Sequence, residues 1–234
     1  MLNRNSLRIL FVVFVFALPA CVKQKDVPVS DCGTVVYDGY EYHTVQIGKQ
    51  CWLRENLRNS HFRDGTPITE AEDSLNWVSD SIGVWCNFGG DSVTPQKRQE
   101  RDAFFGKLYS WPASKDSRLC PNGWHVATMD EWRELSSNYL EPGNALRKVD
   151  TLWANGGPYA TPTDISKFSA LPGGARFENG TTFFLIDSDA YFWTYNLTQV
   201  VPFHLHYNTK FADTSSNGVA PARDGFSCRC VKDH

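Results

Sequence analysis

The rhythm of hydrophobic and polar positions changes several times along the chain, and each rhythm predicts an element. An unbroken apolar run over 9–18 follows Arg4 and Arg8, with no acidic residue before Asp26. Ten residues reach about 15 Å as a helix, half of a bilayer core, so the run predicts an export signal over 1–20 rather than a permanent span. Residues 34–37 and 40–47 then flank Asp38-Gly39, where the glycine permits the positive φ of a type I′ turn. A β-hairpin is expected there. From about 58 to 101 the pattern lapses into turn residues, scattered charge and isolated aromatics (Trp77, Trp85, Phe88), which predicts a long surface excursion. Thr128-Met-Asp-Glu131 is a capping box ahead of Met129, Trp132, Leu135 and Tyr139, so a helix is expected over 129–140. Short aromatic-rich runs at 181–186, 190–195, 203–211 and 226–231 predict strands of an antiparallel sheet. A hairpin, one capped helix, long loops and a late sheet make an α+β fold.

The apolar run ends in Leu18-Pro19-Ala20-Cys21, which resembles a bacterial lipobox: an aliphatic residue, two smaller ones, then the cysteine that is acylated after cleavage. An ordinary secretory signal with Cys21 merely beside the cut is the competing reading. Acylation, palmitate included, would hold the chain stably on a membrane through more than one acyl chain. Residues 21–31 are polar with one proline and read as a tether, leaving 32–234 as a single domain. The expected address is a bacterial lipoprotein at the outer membrane, on its periplasmic or its cell-surface side.

Composition narrows the function classes. The chain of 234 residues is 41% hydrophobic with 17 glycines, inside the globular range. Its 23 Lys+Arg against 26 Asp+Glu give a net charge of −3, and loss of Arg4 and Arg8 with a leader makes the remainder more acidic. No basic field exists to hold a phosphate backbone, so nucleic acid is not an expected partner. Seven cysteines are an odd count. Setting Cys21 aside leaves Cys32, Cys51, Cys86, Cys120, Cys228 and Cys230, an even set that reads as three disulfides of open connectivity. Cys228 and Cys230, two apart on an expected strand, point the same way about 6.6 Å apart and are expected to bond elsewhere than to each other.

Five ordered blocks carry a family resemblance: Tyr42 to Leu57 (YHTVQIGKQCWLRENL), Phe105 to Trp111 (FGKLYSW), Leu119 to Val126 (LCPNGWHV) with Glu131-Trp132, Phe168 to Arg176 (FSALPGGAR), and Gly225 to Val231 (GFSCRCV). Together they resemble the Fibrobacter succinogenes major paralogous domain family over about 33–232. The sequence departs from the family's pattern at Leu53, Ala127 and Cys228. The resemblance implies a C-type-lectin-like domain, similar to the formylglycine-generating sulfatase-modifying enzymes. It also suggests Cys120–Cys230, clamping the start of the helix to the final strand; Cys32–Cys51 would staple the hairpin, leaving Cys86 for Cys228.

Sulfatase-modifying enzymes carry reactive cysteines in a Cys-x4-Cys segment ahead of the terminal strand, and no such segment exists here. No catalytic constellation or cofactor motif is found in the sequence, so an enzyme is not expected. His204-Leu-His206 puts two imidazoles on one strand face, without a third ligand at matching spacing. His125 is expected to be a hydrogen-bonded structural residue. Glu141-Pro-Gly-Asn144 superficially resembles the calcium and sugar motif of true C-type lectins but lacks its companion residues, and Pro142-Gly143 reads as a helix-ending turn. Trp77, Trp85 and Trp153, in loop-like sequence, are the candidate ligand-contact aromatics; the other tryptophans read as packing. The expected function is a membrane-anchored binding or adhesion module for a glycan or a surface protein. An enzyme distantly related to the sulfatase-modifying factors, or a structural surface component binding a protein partner, is the alternative.

Overall fold

The computed structural model describes residues 26–78, 81–158, 160–195, 200–213 and 220–234. The expected leader and Cys21 lie outside them. The chain begins with β1 (Val29–Ser30), β2 (Thr34–Tyr37), β3 (Tyr40–Ile47) and β4 (Gln50–Leu53). The hairpin of β2 and β3 is as expected, with Asp38 at φ 47° and Gly39 at φ 79°, the paired positive values a type I′ turn demands. The end of the expected tether is not a free spacer. Val29 pairs with Ile47 of β3, because Val27 and Val29 find an apolar cluster to pack on.

The expected excursion over 58–101 is the largest correction. It contains β5 (Thr69–Glu70), α1 (Ser74–Val78), β6 (Val84–Cys86) and most of α2 (Pro95–Phe105). Thr94 caps α2 with its side chain, and Pro95 fits the first turn. After β7 (Leu108–Ser110), α3 (Trp111–Ser114) and β8 (Trp124–Val126) comes α4 (Met129–Ser137), with both arms of its capping box formed. Pro142-Gly143 does not end a helix but starts α5 (Pro142–Leu146). A Cβ on Gly143 would lie 2.6 Å from the Phe211 carbonyl oxygen, so a close crossing of the 209–211 segment explains this glycine.

The remaining strands are β9 (Gly173–Arg176), β10 (Phe183–Ile186), β11 (Asp189–Phe192), β12 (Phe203–His206), β13 (Ala212–Asp213), β14 (Gly225–Phe226) and β15 (Cys230–Lys232). The α+β class is as expected, with mostly antiparallel pairing and long loops. One sheet runs β1-β3-β4-β15-β8, with β2 on β3; the other runs β13-β12-β11-β9-β14-β7-β6-β5, with β10 on β9.

Strand alternation explains where the cores sit. On β4, Cys51 and Leu53 enter one apolar cluster, while Trp52 between them enters another. Cys230 and Val231 of β15 divide the same way. The first sheet is therefore a wall between two cores, which is why all four residues of β4 are buried. Its far side is closed by Trp132 and Leu135 of α4 with Phe192, Phe203 and Leu205. Trp132 stacks on Phe203 at 4.2 Å. On β6 and β7, Trp85 and Tyr109 face the first core, and Val84, Cys86 and Leu108 face a third cluster around Trp77. The expected strand at 226–231 is two strands in two sheets, and every residue over 225–231 is buried because this segment crosses from one sheet to the other.

Candidate functional site

The three tryptophans expected to meet ligand are all buried: Trp77 at 1% exposure, Trp85 at 8% and Trp153 at 7%. Their indole N–H groups donate to the carbonyls of Arg223, Ile68 and Ala170. Each ring also faces a buried cation: Arg176 lies 4.4 Å over Trp77, Lys107 4.3 Å over Trp85 and Arg147 5.2 Å over Trp153. They are seats for cations inside the fold, not faces for a sugar. Gly225 passes so close to Trp77 that a Cβ would come within 2.6 Å of its ring. Trp111, which read as packing, keeps a half-buried ring, covered by Lys115 at 4.1 Å.

Arg147, Arg176 and Arg229 are almost fully buried, and none has a carboxylate within ion-pair range among the described residues. Their guanidiniums are satisfied mainly by backbone carbonyls, with an asparagine side-chain oxygen added for Arg147 and for Arg229. Arg176 donates to the carbonyls of Ala71, Glu72, Asp73 and Gly180; Arg147 donates to those of Gly143, Ala160 and Tyr207. Each thus ties together loops remote in sequence.

Two of the expected disulfides are present, Cys32–Cys51 and Cys120–Cys230. The third is not: Cys86 and Cys228 are free, buried thiols. The register explains it. Trp85 opposes Tyr109, which opposes Phe226, so β6 and β14 are two strand spacings apart, about 10 Å, beyond the roughly 7 Å a disulfide spans. Burial pushes the Cys86 thiol up to about 12 and the Cys228 thiol well above its ordinary range, so neither is a ready nucleophile.

His125 is held between Glu131 at 2.9 Å and Asp233 at 2.6 Å, and its pKa is raised first by the Glu131 bond. This is the structural role expected of it. His204 and His206 do share a face, and the cross-strand register supplies a carboxylate that spacing along one strand could not. Asp189, opposite His206, accepts from His204 and lies 3.9 Å from the His206 Nε2, with its second oxygen buried and unpartnered. No group of three His, Cys, Asp or Glu side chains among the described residues is arranged to hold a metal ion.

The strongest candidate site is a cavity of about 190 Å³ that no sequence pattern pointed to. Residues 54–58, leaving β4, form one wall. The end of α2 forms another, and the 164–171 loop a third. Asn56 donates to the Phe105 carbonyl at 2.7 Å and Arg58 to the Ala103 carbonyl, so both satisfy orphan carbonyls in the last turn of α2. Arg54 forks onto the Lys167 carbonyl at 3.0 Å and the Ser169 hydroxyl at 3.2 Å. That loop is strained: Asp164, Lys167 and Ser169 all have positive φ, at 46°, 59° and 56°. It holds because the Asp164 carboxylate accepts from the Ser169 N–H at 2.9 Å and hydroxyl at 2.8 Å.

Arg229 lies deepest, 1% exposed, donating to Asn56 at 2.6 Å and to the Leu53 and Phe168 carbonyls. Burial lowers its pKa to about 9, opposed by the nearby Glu55 charge, so it remains a cation at neutral pH. Lys148 stands at the solvent side with Asp150 at 3.4 Å. Glu55, the one carboxylate lining the cavity, is engaged with the His43 imidazole and N–H. Four cations against one carboxylate, in an acidic chain, concentrate positive charge in this hollow. The available signal was Arg54, Arg58 and Arg229 within or next to the family blocks, and the sequence reading gave none of them a role.

The α+β fold, two disulfides and a cation-lined cavity define an extensively cross-tied domain. The profile of the Fibrobacter succinogenes major domain family matches residues 45–232, and the chain belongs to that family. No curated protein and no solved structure matches it.

Proposed function

We propose that the protein is a bacterial lipoprotein, anchored through Cys21 on the extracytoplasmic side of a membrane, that works as a binding module for a small polar ligand, a glycan foremost. The cavity carries this reading. It is a concave seat on well-tied walls, rich in hydrogen-bond donors, with an exposed Phe104 ring at its rim.

A glycan array probed with the detergent-solubilised full chain, with and without calcium, tests the binding function. Specific glycan binding is expected. A blank array with a surface protein co-purifying would favour the adhesive alternative. The anchor is tested separately: Cys21→Ser should move the chain from the membrane to the soluble fraction and abolish labelled palmitate incorporation.

A further inference from the structure

We propose that the cavity seats a hexuronate unit, with the sugar carboxylate received by Arg54 and Arg58 above the buried Arg229 charge and the apolar ring face resting on Phe104. This inference rests on the binding reading above and adds the chemical class of ligand. The charge balance argues for an anion: none of the three guanidiniums has a carboxylate within 4 Å among the described residues, and Lys148 adds a fourth cation at the mouth. The Arg58 Nε is buried with no hydrogen-bond partner, so this guanidinium is not fully satisfied within the fold. A planar carboxylate fits a guanidinium through two parallel bonds, which a neutral hydroxyl cannot do.

Size argues for one sugar ring. A volume of about 190 Å³ is on the order of six water volumes, enough for a single acidic ring and too little for a folded partner's loop. Phe104, 61% exposed, offers a flat apolar face beside the charges. A seat lined by cations repels calcium, so this recognition needs none.

The test is titration of the full chain in detergent with glucuronate- and galacturonate-containing oligosaccharides and with their neutral glucose and galactose counterparts. Acidic oligosaccharides should bind at least about tenfold tighter than neutral ones, weaken with added salt and be indifferent to a calcium chelator. Arg58→Gln should weaken binding about tenfold or more, since a charge-assisted bond is lost. Lys148→Gln and Phe104→Ala, at exposed positions that leave folding intact, should each weaken it about threefold at unchanged Tm. Equal affinity for acidic and neutral sugars, loss of binding on chelation, or full affinity in both folded Arg58→Gln and Lys148→Gln would each overturn the proposal. Neutral sugars bound equally well would leave the binding module standing and remove only the hexuronate. Acidic peptides competing as well as the oligosaccharides would also overturn it. Failure of every sugar would overturn it together with the glycan reading.

Discussion

The sheet of β1, β3, β4, β15 and β8 is tied covalently: Cys32–Cys51 holds the chain ahead of β2 to β4, and Cys120–Cys230 holds the approach to β8 to β15. The larger sheet has no disulfide among its described residues, and Cys86 on its strand β6 is a free thiol. Its loops are tied by guanidiniums instead, Arg176 gathering the carbonyls of 71–73 with Gly180, and Arg147 gathering α5 with the 207–209 segment. Both devices do the same work, fixing long loops that cannot bury enough apolar surface by themselves. They differ in what they demand of the partner. A disulfide needs another cysteine, whereas a guanidinium needs only carbonyl oxygens, which every residue carries.

That contrast can be broken from either side. The largest effect should come from removing Cys120–Cys230 by replacing both residues with alanine. The bond closes a loop of 110 residues, and the chain-entropy relation gives about 4.7 kcal/mol for a loop of this order. Chemical denaturation should show a loss near that size, and a loss under about 1 kcal/mol would mean the first sheet is held by packing alone.

Next comes Arg176→Met, which keeps apolar bulk over Trp77 but leaves the Ala71, Glu72, Asp73 and Gly180 carbonyls without their donor. Buried acceptors left unmet cost about 1–3 kcal/mol each, with relaxation and water recovering part, so a loss of about 3 kcal/mol is expected. Hydrogen exchange should accelerate around β5, α1 and β10 while β3 and β4 stay protected. Uniform acceleration in both sheets would show that the two regions unfold as one and would remove the comparison.

The smallest effect is a pH dependence confined to the first region. The His125 pKa is raised in the fold by Glu131 and then Asp233, so its contribution is complete below the ordinary histidine value of about 6.5. It is lost as pH rises through the raised folded value. The imidazole is partly solvated, so the contribution should be under about 1 kcal/mol. His125→Gln should flatten the stability profile in that window, and an unchanged slope would assign the pH dependence elsewhere.

Much of the first region was legible. Asp38-Gly39 announced the hairpin and Thr128 with Glu131 announced α4, because both signals act through neighbours in the chain. The Cys120–Cys230 pair followed from the family resemblance, and Cys32–Cys51 was expected as a staple of the hairpin. The second region was read poorly. Trp77, Trp85 and Trp153 looked like surface residues since nothing periodic surrounds them, yet they anchor irregular segments by lying against Arg176, Lys107 and Arg147. The candidate cavity was hidden for a related reason: Arg54 and Arg58 meet Lys148 and Arg229 only once α2 and the 164–171 loop have closed around them.

The sequence by itself determined the α+β class, the family, the hairpin, the capped helix and a framework of cysteines, all of which depend on local backbone preference or on residue identity. Only the tertiary structure decided that Cys86 and Cys228 stay apart, that 225–231 crosses between two sheets, and that cations converge on one hollow. Those outcomes depend on strand register and on loops meeting across large sequence distances, where the acceptors are anonymous carbonyls and one-dimensional spacing carries no trace of them.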